Sequence, residues 1–428
     1  MINKKKMIIA IIFLMLIIIF LIVYKKVIKN NYEVDPPTPA PIVDKTNFDF
    51  KVISETNNLV KKQNYLVSPL SMGYALSMLN EGAAGNTKTE IDNLLNGYKL
   101  PNIANVKNKI GIANLIFMRT KYKNDINPEY IDTLKQNYSS DVMFDPFETP
   151  DKANEWISKK TFKMINDAID NISKDFVLGL ANTIAIDVEW RSKFKCNDTT
   201  KKEFTKVNGK KMDTAMMKGE NDVYYIENEN AKGIIKDYNI YDTKTNEVVY
   251  EENENTIALE YIAILPKNIE DYLKTFNEKE FKQLLESKKE SDSKTDIEYY
   301  LPKYTYDFTY NDFDKMLKNL GMKDAFIGSK ANFKNMVTKE SGLELFVSKS
   351  IHKTHIELSE NGTKAAAVTI FMMDKNAIQI DPKEKITIEF NQPFIYIIKE
   401  KNSDNIWFYG TVFEPLKWEE NTNICEIE

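Results

Sequence analysis

The run from Thr363 to Asp374 constrains the fold of this chain more than any other segment. Its alternate residues form two rows, a first that starts at Thr363 and a second that starts at Lys364, as they do when a segment is extended as a β-strand. The first row contains no charge, whereas the second contains Lys364 and Asp374. Such a strand can lie with one face on a core, and no proline before Pro382 bars it from the centre of a sheet. The first row consists of Thr363, Ala365, Ala367, Thr369, Phe371 and Met373.

The same stretch also allows a helix that follows a hinge. The three alanines at positions 365–367 favour an α-helix by propensity, so the pattern alone leaves strand and helix open. Ser359, Asn361 and Gly362 are typical of a turn, and Gly362 can adopt backbone angles that are closed to other residues. A mobile junction just before the run is therefore expected under either interpretation.

The segment Glu360–Thr369, ENGTKAAAVT, resembles the hinge of the reactive-centre loop in the serpin family. The family pattern is Glu-Glu-Gly-Thr-Glu-Ala-Ala-Ala, a small residue and Thr, and seven of these ten positions match. Asn361 and Lys364 replace glutamates, and Lys364 stands in the polar row, where a long charged side chain is tolerated. By this resemblance the hinge residues are Glu360, Gly362, Thr363, Ala365, Ala366, Ala367 and Thr369.

Other segments resemble the same family, in order and at the family's spacing. Asn64–Leu95 passes from a short apolar strand through Ser-Pro-Leu-Ser into a helical pattern and a Gly-Ala-Ala-Gly-Asn-Thr turn. Leu178–Phe194 matches with its Asn and Trp, and Phe394–Pro415 has the pattern of two apolar strands around a polar turn. The matches together cover about residues 47–417.

The resemblance implies an α+β serpin fold with a mixed main β-sheet, two smaller sheets, about eight or nine helices and an exposed reactive-centre loop. A chain of 428 residues with 43% hydrophobic residues can bury a core of that size. Two polar stretches, 237–255 and 286–295, are longer or more charged than this pattern needs, and we predict that both are surface insertions.

The resemblance also implies a polar cluster where the strands of the main sheet must part. His352 matches the serpin shutter histidine, and a buried cluster of this kind has to be internally hydrogen-bonded. The shutter and structural residues implied in this way are Ser68, Ser71, Asn182, His352 and Trp190.

The few histidines and cysteines limit which catalytic and metal sites this chain can form. His352 and His355 are the only histidines, and no Gly-x-Ser-x-Gly elbow or His-Glu-x-x-His motif accompanies them. Cys196 and Cys425 are far apart in sequence and leave one disulfide or two free thiols open. The net charge is −5, without a basic stripe. We predict no catalytic residue, metal, cofactor or nucleic-acid partner.

Met7–Tyr24 is an apolar run of 18 residues without charge or proline, between lysines at 4–6 and 25–26. At about 1.5 Å per residue it is long enough to cross a bilayer core, and no Ala-x-Ala cleavage site follows it. The prolines at 36, 37, 39 and 41 suit an extended spacer. We predict a cytoplasmic tail at 1–6, a transmembrane signal anchor at 7–24, a stalk at 25–46, an extracytoplasmic serpin domain at 47–418 and a polar tail at 419–428.

The mechanism that the resemblance implies begins when a target protease attacks the exposed loop and forms an acyl-enzyme. The freed limb of the loop then inserts into the main sheet as a new central strand. Counting from the hinge places the cleaved bond after Asn376, and counting back from Phe390 places it about six residues later. Lys375–Asn376 and Asn376–Ala377 are the leading bonds, suited to trypsin-like and asparagine-preferring proteases, and Met372 or Met373 would suit a protease with an apolar pocket.

These observations predict a membrane-tethered monomer that inhibits serine proteases irreversibly. Cysteine proteases are further candidate targets because they too form acyl-enzymes. The alternative is a non-inhibitory serpin that serves as a surface binding module, and the small, uncharged inward row of the loop counts against it.

Overall fold

The computed structural model describes residues 47–292, 294–363 and 384–419 of the chain. Within them, eight α-helices lie at Phe48–Leu59 (α1), Pro69–Gly82 (α2), Gly85–Leu95 (α3), Pro128–Tyr138 (α4), Asp151–Lys160 (α5), Ile269–Thr275 (α6), Glu278–Glu286 (α7) and Phe313–Asn319 (α8).

The helix starts follow from local sequence. Asn47 caps α1 by accepting a hydrogen bond from the backbone N–H of Asp49 at 2.9 Å. Ser68 caps α2, and its Oγ accepts from the N–H of Ser71 at 3.1 Å. Pro69 follows as the first residue of α2, where the missing N–H removes nothing from the helix.

The largest sheet has seven strands in the order β1-β18-β17-β11-β9-β10, with β8 paired to β9, and all its pairs are antiparallel. Its middle strands are almost completely buried and rich in isoleucine and tyrosine, as expected for strands covered on both faces. The strands are Tyr65–Val67 (β1), Tyr224–Glu227 (β8), Ala231–Asp242 (β9), Val248–Val249 (β10), Thr256–Pro266 (β11), Phe394–Glu400 (β17) and Ile406–Val412 (β18).

A second sheet of four strands has the order β16-β12-β7-β6. Its strands are Thr200–Thr205 (β6), Lys211–Glu220 (β7), Thr295–Pro302 (β12) and Glu384–Glu389 (β16).

The remaining strands form two sheets that flank a groove. One has the order β3-β2-β4, and the other has the order β13-β14-β15-β5. The strands are Ile110–Arg119 (β2), Asp141–Asp145 (β3), Leu178–Ile186 (β4), Val188–Glu189 (β5), Tyr304–Thr309 (β13), Lys353–Ser359 (β14) and Gly362–Thr363 (β15).

These elements confirm the predicted α+β class and the C-terminal pair of apolar strands. The prediction for 237–255 was wrong in part, because β9 continues through Asp242 and six residues of the stretch belong to a central strand. Only the rest of that stretch, which includes β10, forms the polar insertion. None of the helices in the described ranges is long and apolar enough to cross a membrane, and the predicted anchor at 7–24 lies outside those ranges.

Candidate functional site

The hinge that the sequence predicts begins as a strand. After β14 the chain turns at Glu360 and Asn361 and returns as β15, which lies between β14 and β5. Thr363 pairs with Leu358 on one side and with Val188 on the other. The first two residues beyond the turn are therefore already part of a sheet, which excludes a helix that starts at Gly362 or Thr363.

Gly362 is required by a close approach of two backbones. A Cβ atom at this position would lie 2.2 Å from the carbonyl oxygen of Val188 and 2.7 Å from Cα of Glu189. Its φ of +151° is also a backbone angle that residues with a Cβ atom rarely adopt. Any other residue would push β15 away from β5.

The segment after β5 that carries Trp190 and Phe194, which we call the platform, holds the hinge turn through hydrogen bonds to its backbone carbonyls. The indole N–H of Trp190 donates to the carbonyl of Ser359 at 3.0 Å, and its backbone N–H donates to the carbonyl of Asn361 at 3.0 Å. The backbone N–H of Phe194 donates to the carbonyl of Glu360 at 3.1 Å. Each residue of the turn from 359 to 361 is thus attached to the platform.

The side chain of Glu360 is held by two groups from the second sheet's region. Lys303 lies 2.9 Å from one carboxylate oxygen, and the Thr199 hydroxyl donates to the other at 2.8 Å. The Glu360 and Lys303 side chains are 13% and 19% exposed, so water screens this ion pair only in part. The turn is thus attached through the Glu360 side chain as well as through its backbone carbonyls.

Thr363 points into the core. It is 4% exposed, and its hydroxyl lies 2.8 Å from the hydroxyl of Tyr238. Tyr238 in turn stacks on Trp190, with ring centroids 4.4 Å apart and planes within 6° of parallel. The hinge and the platform therefore share one buried contact.

Beyond Thr363, a groove of about 750 Å³ lies between β4 and the segment 344–357. Strand β4 pairs with β2 on one edge, and β14 pairs with β13 on one edge. Among the described residues, the facing edges of β4 and β14 carry no further strand pairing except at Leu358 and Ser359. Apolar side chains of α2 lie in the floor, namely Met72, Ala75, Leu76 and Leu79.

His352 lies in this groove, immediately before β14, with its ring nitrogen Nε2 accepting from the backbone N–H of Ser68 at 3.2 Å. The Ser68 hydroxyl donates to the carbonyl of Trp407 at 2.7 Å. Burial lowers the pKa of His352 to about 4, so the imidazole is neutral near pH 7.

Asn182 lies on the other side of the groove and has a different partner. Its Nδ2 donates to Asn114 Oδ1 of β2 at 2.8 Å, while its Oδ1 has no partner among the described residues. The structure thus brings Ser68, Ser71 and His352 together, and places Asn182 on the facing strand.

The remaining predicted site residues lie outside the described residues. They are Ala365, Ala366, Ala367, Thr369, Lys375, Asn376 and Ala377. Cys196 is disulfide-bonded, and Cys425 lies outside the described residues. Within the ranges that the structure describes, no group of three or more His, Cys, Asp or Glu side chains is arranged to hold a metal ion.

Sequence reasoning missed several residues that build the hinge site. Lys303, Tyr238, Phe194 and Thr199 come from three separate segments, and nothing in their local sequence marks them as neighbours of Glu360 and Thr363.

The comparisons with known proteins agree with this geometry. The family model described as Serpin (serine protease inhibitor) matches residues 44–415. Mouse neuroserpin is 27% identical over 394 residues, covering 86% of this chain and 90% of the relative.

Among solved structures, a thermophilic serpin, tengpin, in its native state is 30% identical. Its TM-score is 0.70, and the match covers 86% of this chain and 93% of tengpin. A complex of thyroxine-binding globulin with thyroxine shares the fold, with a TM-score of 0.68 at 21% identity, over 87% of this chain and 98% of that one. The chain belongs to the serpin family of serine protease inhibitors.

Proposed function

We propose that this protein is an irreversible suicide-substrate inhibitor of serine proteases, with cysteine proteases as further candidates. In this proposal, cleavage of the reactive-centre loop and formation of an acyl-enzyme are followed by insertion of the loop between β4 and β14. The observation that carries the proposal is the open groove, at one end of which Gly362 and Thr363 already pair with β14 and with β5, the short strand that follows β4.

Continuing the register of β15 residue by residue gives the alignment of the inserted loop. Ala365 would lie opposite Ile356 and Ile186, and Ala367 opposite Thr354 and Ile184. Residues directly opposite in an antiparallel ladder share a face, and these four partners are all buried. The uncharged row of the loop therefore faces the core, in phase with the buried Thr363.

The same register brings Thr369 between His352 and Asn182. At this position the Thr369 hydroxyl would face a polar side chain from each side of the groove. The Asn182 Oδ1 atom, which has no partner within the described residues, would then face a hydroxyl donor. This alignment supports the shutter role proposed for Ser68, Ser71, Asn182 and His352.

Insertion would be driven by backbone pairing and apolar burial. Each new ladder hydrogen bond contributes about 1 kcal/mol net. The inserted loop would form such bonds with the edges of both β4 and β14. Phe371 and Met373 would lie opposite Leu180 and Leu178, in a groove whose lining includes Ile172 and other apolar side chains. Burial of such surface contributes about 25 cal/mol for each Å² of apolar area.

The extent of the groove also bears on the cleaved bond. In the continued register Met373 reaches Leu178, where β4 begins, so a bond that permits full insertion lies beyond Met373. Lys375–Asn376 and Asn376–Ala377 meet this condition. A protease with an acidic primary pocket would use the first bond, and an asparagine-preferring protease would use the second.

We also propose that residues 7–24 anchor the protein in a membrane, with the serpin domain outside the cytoplasm. The uncharged run between lysines supports this assignment. Carbonate washing of membranes from cells that express the full chain, together with N-terminal sequencing, tests it. Retention of an intact N-terminus in the membrane fraction would support the anchor, and a soluble product that begins after residue 24 would refute it.

The inhibitor proposal is tested by mixing the full-length protein with proteases of different primary specificity. Denaturing gels would be run on each mixture, and the released peptide would be sequenced. We expect an SDS-stable complex with at least one protease and a released peptide beginning at Asn376 or Ala377. Cleavage of the loop without a complex, and without a rise in thermal stability, would refute the proposal and favour the non-inhibitory binding module.

A further inference from the structure

A buried lysine of the large sheet lies directly beneath the hinge platform. The Lys236 side chain, on β9, is 1% exposed. Its ammonium group lies 4.8 Å from the ring centroid of Phe194, 5.5 Å from that of Tyr299 and 5.6 Å from that of Trp190. Three aromatic rings thus surround one cation within the distance over which ring faces attract positive charge.

Polar groups of two other elements complete the surroundings of this ammonium group. It forms an ion pair with Asp222, and it donates to the Tyr299 hydroxyl at 2.9 Å. That hydroxyl donates to the second Asp222 oxygen at 2.7 Å, which closes a triangle of three side chains. Asp237, the next residue of β9, is a further acidic group whose charge acts on Lys236.

A missing side chain on β7 makes room for this arrangement. A Cβ atom on Gly219 would lie 2.2 Å from the Tyr299 hydroxyl oxygen and 2.1 Å from Cζ of the same ring. Tyr299 can therefore reach Asp222 and Lys236 only because residue 219 is glycine. The cation, its acid and its rings form one assembled unit.

Two of the three rings belong to the residues that hold the hinge. The carbonyls of residues 359–361 accept hydrogen bonds from the backbone N–H groups of Trp190 and Phe194 and from the Trp190 indole. A shift of either ring would move these donors relative to the turn. The ammonium group is thus separated from the hinge by a single layer of aromatic side chains.

We propose that Lys236 is a positioning residue for loop insertion, whose positive charge holds the Trp190 and Phe194 rings so that their N–H groups keep the hinge turn docked. The link to insertion rests on the proposed inhibitory function, whereas the docking of the turn does not. Without the charge, the platform loosens and a cleaved loop enters the groove more slowly. Deacylation then releases more of the protease before it is trapped.

The chain contains a matched control for the removal of a buried cation. Lys399 of β17 is 7% exposed and pairs with Glu260 of β11 at 3.0 Å, in the same sheet. Unlike Lys236, it has no aromatic ring within cation–π distance among the described residues. Lys399→Met therefore removes a buried, paired ammonium group without touching the platform.

The first measurement is hydrogen–deuterium exchange of the Trp190 and Phe194 backbone amides, which needs no protease. Lys236→Met keeps the length of the side chain and removes its charge. The double variant Lys236→Met with Asp222→Asn removes the acid as well, so that no unpaired charge remains buried. We expect both variants to speed exchange at these two amides on the order of tenfold. Lys399→Met should leave these two amides unchanged.

The second measurement is the number of inhibitor molecules consumed for each protease trapped, at matched thermal stability. The double variant should consume several times more inhibitor than the wild-type protein and Lys399→Met do. The proposal is overturned if a folded double variant exchanges these two amides at the wild-type rate and consumes the wild-type number of inhibitor molecules for each protease trapped. If the wild-type protein traps no protease, the inhibitor proposal fails, and the exchange measurement still decides whether Lys236 docks the hinge.

Discussion

The hydroxyl groups of Thr363 and Tyr238 lie 2.8 Å apart in the interior, and in the proposed insertion this contact would set the phase of the reactive-centre loop. Because side chains alternate along a strand, a buried Thr363 assigns every second residue after it to the same inward face. If the loop inserts as proposed, its uncharged row would face the core and Lys364 would face solvent.

A charge on the inward row should convert the inhibitor into a substrate. Ala367→Glu would place a carboxylate between Ile184 and Thr354, where an unpaired buried charge costs about 3–5 kcal/mol. Ala366→Glu, one residue earlier, points outward in the same register and should leave trapping intact. Gels that compare covalent complex with cleaved inhibitor check both variants. An Ala367→Glu protein that still traps one protease per molecule would contradict the assigned phase.

Gly362→Ala should weaken the hinge even before any protease acts. The added Cβ would meet the Val188 carbonyl at 2.2 Å, and we expect the free energy of unfolding to fall by about 1–3 kcal/mol. Gly328→Ala serves as the control, because its nearest neighbour atom would lie 3.6 Å away in ordinary contact. Urea unfolding of both variants measures the difference. Equal losses for the two glycines would show that the close approach at β5 is unimportant.

Asp49→Asn should stabilise the protein above neutral pH. Burial raises the pKa of Asp49 from 3.8 to about 7, with Glu278 and Asp404 contributing in the same direction. The native state therefore keeps a proton that the unfolded chain releases, and stability falls as pH rises from about 4 to about 7. Asparagine can still accept from the Ile406 N–H, which now bonds to an Asp49 oxygen at 3.1 Å.

At pH 8 the Asp49→Asn variant should exceed the wild-type free energy of unfolding by up to about 4 kcal/mol, and at pH 4 the two should be equal. Chemical denaturation at both pH values provides the measurement. A difference that does not change between pH 4 and pH 8 would be inconsistent with a proton held at Asp49.

His352→Gln should flatten the loss of stability in acid. Burial lowers the pKa of His352 from 6.5 to about 4, so the unfolded chain takes up a proton that the native ring resists. This group's contribution to stability is complete above pH 6.5 and is lost as pH falls toward 4, by about 3 kcal/mol at most. Glutamine can accept from the Ser68 N–H without titrating. Thermal unfolding between pH 4 and 7 should show a shallower decline for the variant, and parallel declines would refute the assignment.

Local sequence was sufficient for features whose cause is local. The C-terminal pair of apolar strands was predicted from its own pattern and is confirmed. The Ser68 and Asn47 caps also have a local cause, because each side chain accepts from an N–H two or three residues further on. The inward row of the loop stays a prediction. The boundary of the 237–255 insertion could not be predicted in this way. Strand β9 extends to Asp242 because β11 and β10 pair with it on both sides, and such pairing depends on distant residues.

The sequence by itself determined the family and the α+β class, because these are carried by short motifs in a fixed order. Only the tertiary structure decided how the hinge is held. Lys303, Phe194 and Tyr238 come from separate parts of the chain, and they reach Glu360 and Thr363 only after four sheets have assembled. Lys236, on the same strand as Tyr238, lies one layer further away, against the Phe194 ring. The separation of β4 from β14 could not be predicted from local sequence either, because which strand edges pair depends on contacts between distant segments. In the folded protein these two strands belong to different sheets.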